Sequence, residues 1–171
     1  MVDVDVKALR TREILRLYAA LLEELIERRV VRTRNAPAGD LAETLVAVAY
    51  RGTLAPNSEK SWDVKAANGR RLQVKCRLVG LHTGSSQTFS FFRSWDFDAC
   101  VFVLLEASSY DIRSVVEVPV DGVRVKAKEV VWVSGFRVRV GELFAGLPGV
   151  VDVTSLLRSA LENLDSVEDN E

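Results

Sequence analysis

The spacing of apolar positions changes along the chain, and each change marks an element. Leu15, Tyr18, Leu21, Leu22, Leu25 and Ile26 recur at helical spacing, with Glu23, Glu24, Glu27 and Arg28 on the remaining face. This predicts an amphipathic helix over about residues 7–30, which either covers the domain's own sheet or pairs with a second copy of the chain. Arg28, Arg29, Arg32 and Arg34 form a basic exit, read either as phosphate contacts or as a solvated turn, before Ala36-Pro37-Ala38-Gly39 breaks the pattern. Leu41, Leu45, Val48 and Ala49 then predict a second helix over Asp40–Arg51. Asp40 stands at its N-cap, Glu43 in its first turn is placed to reach back to the Asp40 amide, and Gly52 follows its end.

Beyond a connecting loop over Leu54–Lys60, the period falls to two. Leu72, Val74, Cys76 and Leu78 alternate with Arg71, Gln73, Lys75 and Arg77, and Trp62, Val64 and Ala66 with Asp63 and Lys65. These are two half-buried strands joined near Asn68-Gly69. A two-residue turn would set Val64 against Gln73 and Asp63 against Val74, mixing polar with apolar on both faces. A three-residue loop, Ala67-Asn68-Gly69 with the glycine left-handed, pairs Val64 with Leu72 and Asp63 with Gln73. Asp63, Gln73 and Lys75 then share a face. Ordinary solvated alternation explains three such residues; so does a divalent-metal site with a lysine beside it.

Gly80–Ser90 reads as a surface loop carrying the sole histidine, His82, and Phe89–Arg93 as a short turn or strand edge. Ala99–Leu105 is apolar without alternation, as in a strand covered on both faces. Ile112–Val118 is a neighbouring strand, and Asp121–Val131 is ambiguous between helix and extended chain. Val130–Val133 and Phe136–Val140 flank a hairpin signal at Ser134-Gly135. Thr154–Leu164 predicts a last helix, capped by Thr154 or Asp152. The order predicts a mixed sheet with helices on both faces.

Composition narrows the setting. At 171 residues and 48% hydrophobic content, one globular domain with a real core is expected. No apolar run approaches the ~20 residues of a membrane span and no signal peptide is evident, so the expected location is the cytoplasm, away from membranes. Cys76 and Cys100 lie in apolar patterns and read as buried free thiols. The net charge of −1 hides a division: five acids and no base lie from Glu162 onward, so 23 cations stand against 19 anions before it, a net of +4. The divisions expected are an N-terminal helix and basic linker over residues 1–38, a compact domain over 39–164, and an acidic, disordered tail over 165–171.

Glu43, Asp63 and the triplet Gln73-Val74-Lys75, followed by FDACVFVLLE over Phe97–Glu106, give the chain its family likeness. It resembles the PD-(D/E)XK nuclease superfamily over about residues 39–106, in the Gln-x-Lys variant of Mrr-like restriction endonucleases. The resemblance implies an α/β fold, a restriction-endonuclease-like mixed β-sheet flanked by helices, and Mg²⁺- or Mn²⁺-dependent hydrolysis of DNA phosphodiester bonds. It implies catalytic roles for Asp63, Gln73, Lys75 and Glu43, with oxygens of Asp63, Gln73, Glu43 and the Val74 carbonyl toward the metal. Gln73 stands where the family carries an acid, and Glu43 is placed to restore the missing charge. Lys60, Lys65, Arg70, Arg71, Arg77 and Arg93 surround the proposed site as candidate phosphate contacts. The alternative is a non-catalytic nucleic-acid-binding or assembly subunit of the same fold.

Overall fold

The structure is a computed structural model describing residues 4–56, 58–80, 87–141, 144 and 146–166. Its element order is α1 (Thr11–Glu27), α2 (Ala38–Ala49), β1 (Thr53–Leu54), β2 (Val64–Lys65), β3 (Arg71–Val79), β4 (Ala99–Glu106), β5 (Ile112–Pro119), α3 (Val120–Lys126), β6 (Lys128–Val130), β7 (Gly135–Arg137), β8 (Val151–Asp152) and α4 (Thr154–Ser166). Six strands form one mixed sheet in the order β1-β2-β3-β4-β5-β8; β6 and β7 make a separate hairpin. Only β3 and β4 run parallel in the large sheet.

The hairpin takes the register that its polarity requires. Val64 pairs with Leu72 and Lys65 with Arg71. The Ala66 amide donates to the Arg70 carbonyl at 2.9 Å, leaving Ala67-Asn68-Gly69 as the loop, and Gly69 has φ +86°. A β-carbon at Gly52 would stand 2.4 Å from the Lys65 carbonyl oxygen. The end of α2 therefore packs directly on the hairpin backbone, which needs a residue without a side chain there.

One sheet face packs Leu72, Val74, Val101, Val103 and Val115 against Leu45 and Val46 of α2 and Leu157 of α4. On the opposite face Phe89, Phe92 and Phe97 gather over Cys100 and Phe102, with Val123 of α3. Parallel strands need a crossover. Here, within the crossover between β3 and β4, the described residues 87–98 pass over the face that carries Gln73 and Lys75. Ala99, Cys100, Val101 and Val103 are fully buried, as expected of a central strand.

Several expectations need correction. The first helix is shorter than predicted, and α2 and α4 cover the sheet in its place. Of α1 only Leu22 is buried; Ile14, Leu15, Tyr18 and Leu21 are exposed, and Tyr18 and Leu21 line an apolar groove of about 330 Å³. The second helix starts at Ala38 after Pro37. Asp40 caps no helix: its Oδ2 accepts the amides of Arg32 and Thr33, at 2.9 and 2.7 Å, and so anchors the preceding loop. The ambiguous stretch resolves into α3 and then β6. Val131–Val133 is a 3₁₀ turn rather than a strand arm, ending at Ser134 with φ 48°. The helix α4 continues through Ser166, two residues into the predicted tail, and residues 167–171 lie outside the described residues, as does His82.

The strands β1 and β8, two residues each, escape sequence reading because so short a run has no period. Beyond β8 the rest of the β5 edge is closed by α4. The Thr154 hydroxyl accepts the Val115 amide at 2.8 Å, and the Arg158 guanidinium donates to the Ile112 carbonyl at 2.9 Å. Asp152 Oδ1 accepts the Thr154 amide at 2.8 Å and steadies the start of α4. No helix among the described residues is long and apolar enough to cross a membrane.

Candidate functional site

The hairpin register places Asp63 opposite Gln73, one residue before β2 begins. The Asp63 amide donates to the Leu72 carbonyl at 2.9 Å, so the ladder fixes the aspartate's backbone. Its Oδ2 then accepts two donors, the Gln73 side-chain amide and the Val74 backbone N–H at 2.7 Å. Its Oδ1 has no donor among the described residues. The N–H and C=O of a strand residue point to the same edge. The Val74 carbonyl therefore faces the same side as Asp63, past the end of the two-residue β2.

Gln73 is 8% exposed and Lys75 9%, which excludes solvated alternation as the account of the triplet. The Lys75 Nζ donates to the Phe91 carbonyl at 3.3 Å and lies 4.9 Å from the centroid of the Phe92 ring. The aromatic crossover thus holds the ammonium inside the structure, where its charge also acts on Asp63. Burial raises the Asp63 carboxyl above its ordinary range, opposed by the Val74 N–H, the Lys75 charge and Gln73.

Glu43 arrives from the first turns of α2. It makes no capping box with Asp40. Its Oε2 is paired with the Arg32 guanidinium, which also donates to the Ala55 carbonyl at 3.1 Å. Burial pushes the Glu43 carboxyl up to about 7; the nearby Asp63 charge adds to this and Arg32 opposes it. Arg32 also lowers Asp63. Sequence reading placed Arg32 among four interchangeable arginines. What singles it out is the loop anchor at Asp40, eight residues on, which turns Arg32 back over α2, and no local pattern records that.

The structure therefore brings Glu43, Asp63, Gln73, Val74 and Lys75 together. Among the described residues no three His, Cys, Asp or Glu side chains converge. A divalent cation here would rest on two carboxylates, Asp63 and Glu43, with the neutral Val74 carbonyl. These are hard oxygen donors, and they fit Mg²⁺ or Mn²⁺. Gln73 departs from the expected role in one respect. Its amide nitrogen faces Asp63, so in this arrangement it orients the carboxylate and turns its own oxygen away.

The candidate phosphate contacts divide. Lys60, Lys65, Arg77 and Arg93 are exposed. Arg71 is bound to Asp96 at 2.8 Å. Arg70 pairs with Glu117, a 7% exposed carboxylate on the helix-covered face, which also accepts the Tyr50 hydroxyl at 2.6 Å. That triad ties the hairpin loop to β5 and the end of α2. Cys100 is buried, Cys76 partly so, and both are free; burial pushes the Cys76 thiol up to about 12.

The chain matches no known family model, and no curated protein matches it significantly.

Proposed function

We propose that this chain is a metal-dependent DNA endonuclease of the PD-(D/E)XK type, in the Gln-x-Lys form, acting in restriction or defence. The observation that carries the reading is the Asp63 carboxylate, fixed by Gln73 and the Val74 amide beside a buried Lys75 and a Glu43 raised to about 7. The order of a glutamate-bearing helix, a hairpin and a buried parallel strand supports a restriction-endonuclease-like arrangement of the mixed sheet. Bound at Asp63, Glu43 and the Val74 carbonyl, Mg²⁺ or Mn²⁺ would neutralise phosphate charge and acidify a water. Asp63 holds its ligand oxygen still through Gln73 and Val74. Lys75 offers its remaining donors to a phosphate oxygen, where a preorganised charge stabilises the negative charge gained during hydrolysis. Exposed Lys60, Lys65, Arg77 and Arg93 position the backbone.

Duplex, branched and single-stranded DNA are incubated with the purified chain in Mg²⁺ or Mn²⁺. Cleavage lost in Asp63→Ala and Lys75→Ala with folding intact is expected; no cleavage of any substrate with either metal overturns the reading. Two observations favour a second reading. Gln73 turns its nitrogen to Asp63 and Lys75 is engaged by Phe91, as in a non-catalytic nucleic-acid-binding subunit. That reading predicts metal-independent binding which survives Lys75→Ala. The exposed stripe on α1 further supports pairing with a second copy, and Leu15→Glu with Leu21→Glu should yield a monomer by sedimentation.

A further inference from the structure

The small hairpin that follows α3 stands beside the site without belonging to it. A groove of about 430 Å³ is lined there by Lys126, Lys128, Arg137, Arg139, Glu129 and Trp132, together with Thr88. Among the described residues four cations and one carboxylate line it, in a chain whose net charge is −1. Trp132, in the 3₁₀ turn between β6 and β7, is 81% exposed. An indole so placed contributes nothing to the core.

The groove is joined to the site through two neighbouring residues, Phe91 and Phe92. The Arg137 guanidinium lies 5.1 Å from the centroid of the Phe91 ring, while the Phe91 carbonyl accepts Lys75 Nζ. Phe92, whose ring lies under the same ammonium, exchanges two backbone hydrogen bonds with Phe136 of β7, each 2.9 Å. The groove therefore borders the crossover segment that holds Lys75.

We infer that this groove binds an unpaired nucleic-acid strand, with phosphates on Lys126, Lys128, Arg137 and Arg139 and a base stacked on Trp132. In a duplex the faces of the bases are covered by their neighbours, and only an unstacked base offers one to an indole. The volume lies in the range of small-ligand pockets, ~300–1,000 Å³, and suits a nucleotide rather than a helix of base pairs. Exposed Val125 and Val131 nearby would also suit an anionic lipid surface. A concave groove with its cations turned inward favours a strand over a plane. The inference rests on the phosphodiesterase reading and deepens it: the substrate would be single-stranded or locally unpaired DNA or RNA at the point of entry.

Binding is measured on the full chain in EDTA, so that it is separated from cleavage. The probes are fluorescent dT12 and U12, a matching 12-base-pair duplex, and phosphatidylserine vesicles. Tighter binding of either single strand than of the duplex is expected, with quenching of Trp132 emission. Trp132→Ala should weaken single-strand binding about 5- to 100-fold, and Trp132→Phe should restore most of it. Lys128→Ala with Arg139→Ala should lower the salt slope by about 1.4. Equal binding of duplex and single strand, indifference to Trp132→Ala, or binding to vesicles alone each overturns the inference. Strand binding without cleavage in any metal would retain this groove while removing the hydrolase reading.

Discussion

Of the glutamates paired with arginines among the described residues, Glu117 and Glu43 are the least exposed, and the two pairs differ in what each leaves over. Glu117 has both oxygens occupied, one by the Tyr50 hydroxyl and one by Arg70. Glu43 gives Oε2 to Arg32, has no donor on its other oxygen among the described residues, and shares its surroundings with Asp63. A buried charge whose hydrogen bonds are complete fixes the packing around it. A buried charge left incomplete beside a second one stores an unfavourable interaction that a cation or a proton relieves. The first arrangement reads as architecture, the second as chemistry.

The largest effect should fall on the incomplete cluster. Lys75→Ala should lower DNA cleavage about 10²- to 10⁴-fold, measured in single-turnover assays on protein that circular dichroism shows to be folded. The same loss from a variant at Glu117 would erase the contrast. Glu117→Ala should instead destabilise the fold by about 3 kcal/mol in urea titration, because it leaves Arg70 and Tyr50 unpaired, while cleavage by the folded fraction persists.

The incomplete cluster should also show itself in pH. The folded-state value of Glu43, about 7, exceeds the ordinary 4.5, so the folded chain holds an extra proton between those values. Stability in EDTA should therefore be highest below about pH 4.5 as far as this group is concerned, fall by about 2 kcal/mol as pH rises toward 7, and level off above it. Glu43→Gln should flatten that slope in urea titrations from pH 5 to 8. The smallest effect concerns the loop that sets both registers. Gly69→Ala should cost about 1 kcal/mol by chemical denaturation, since the position has φ +86°.

Polarity along the strands was enough to fix the hairpin register, because one residue of slip would have buried Gln73 against the α2 side. It was enough also for β4, whose unbroken apolar run has no polar face. It failed where side chains act across long sequence distances. Arg70 stands one residue before a strand that alternates correctly, yet its partner Glu117 lies 47 positions away on a valine-rich strand. The Phe91 carbonyl that receives Lys75 belongs to a crossover with no regular structure to read. Val131–Val133 carries strand-forming residues but turns, as the register of Lys128 with Arg137 leaves those residues outside the ladder.

The closure of the β5 edge by Thr154 and Arg158 has a consequence for the protein in concentrated solution. An open row of carbonyls and amides on a valine-rich strand is a template for a strand of another molecule. Here the hydroxyl occupies Val115 and the guanidinium occupies the Ile112 carbonyl, so these edge groups are not offered to a neighbour's strand. A chain lacking Arg158 would uncover the Ile112 carbonyl and so weaken that guard at one end of β5.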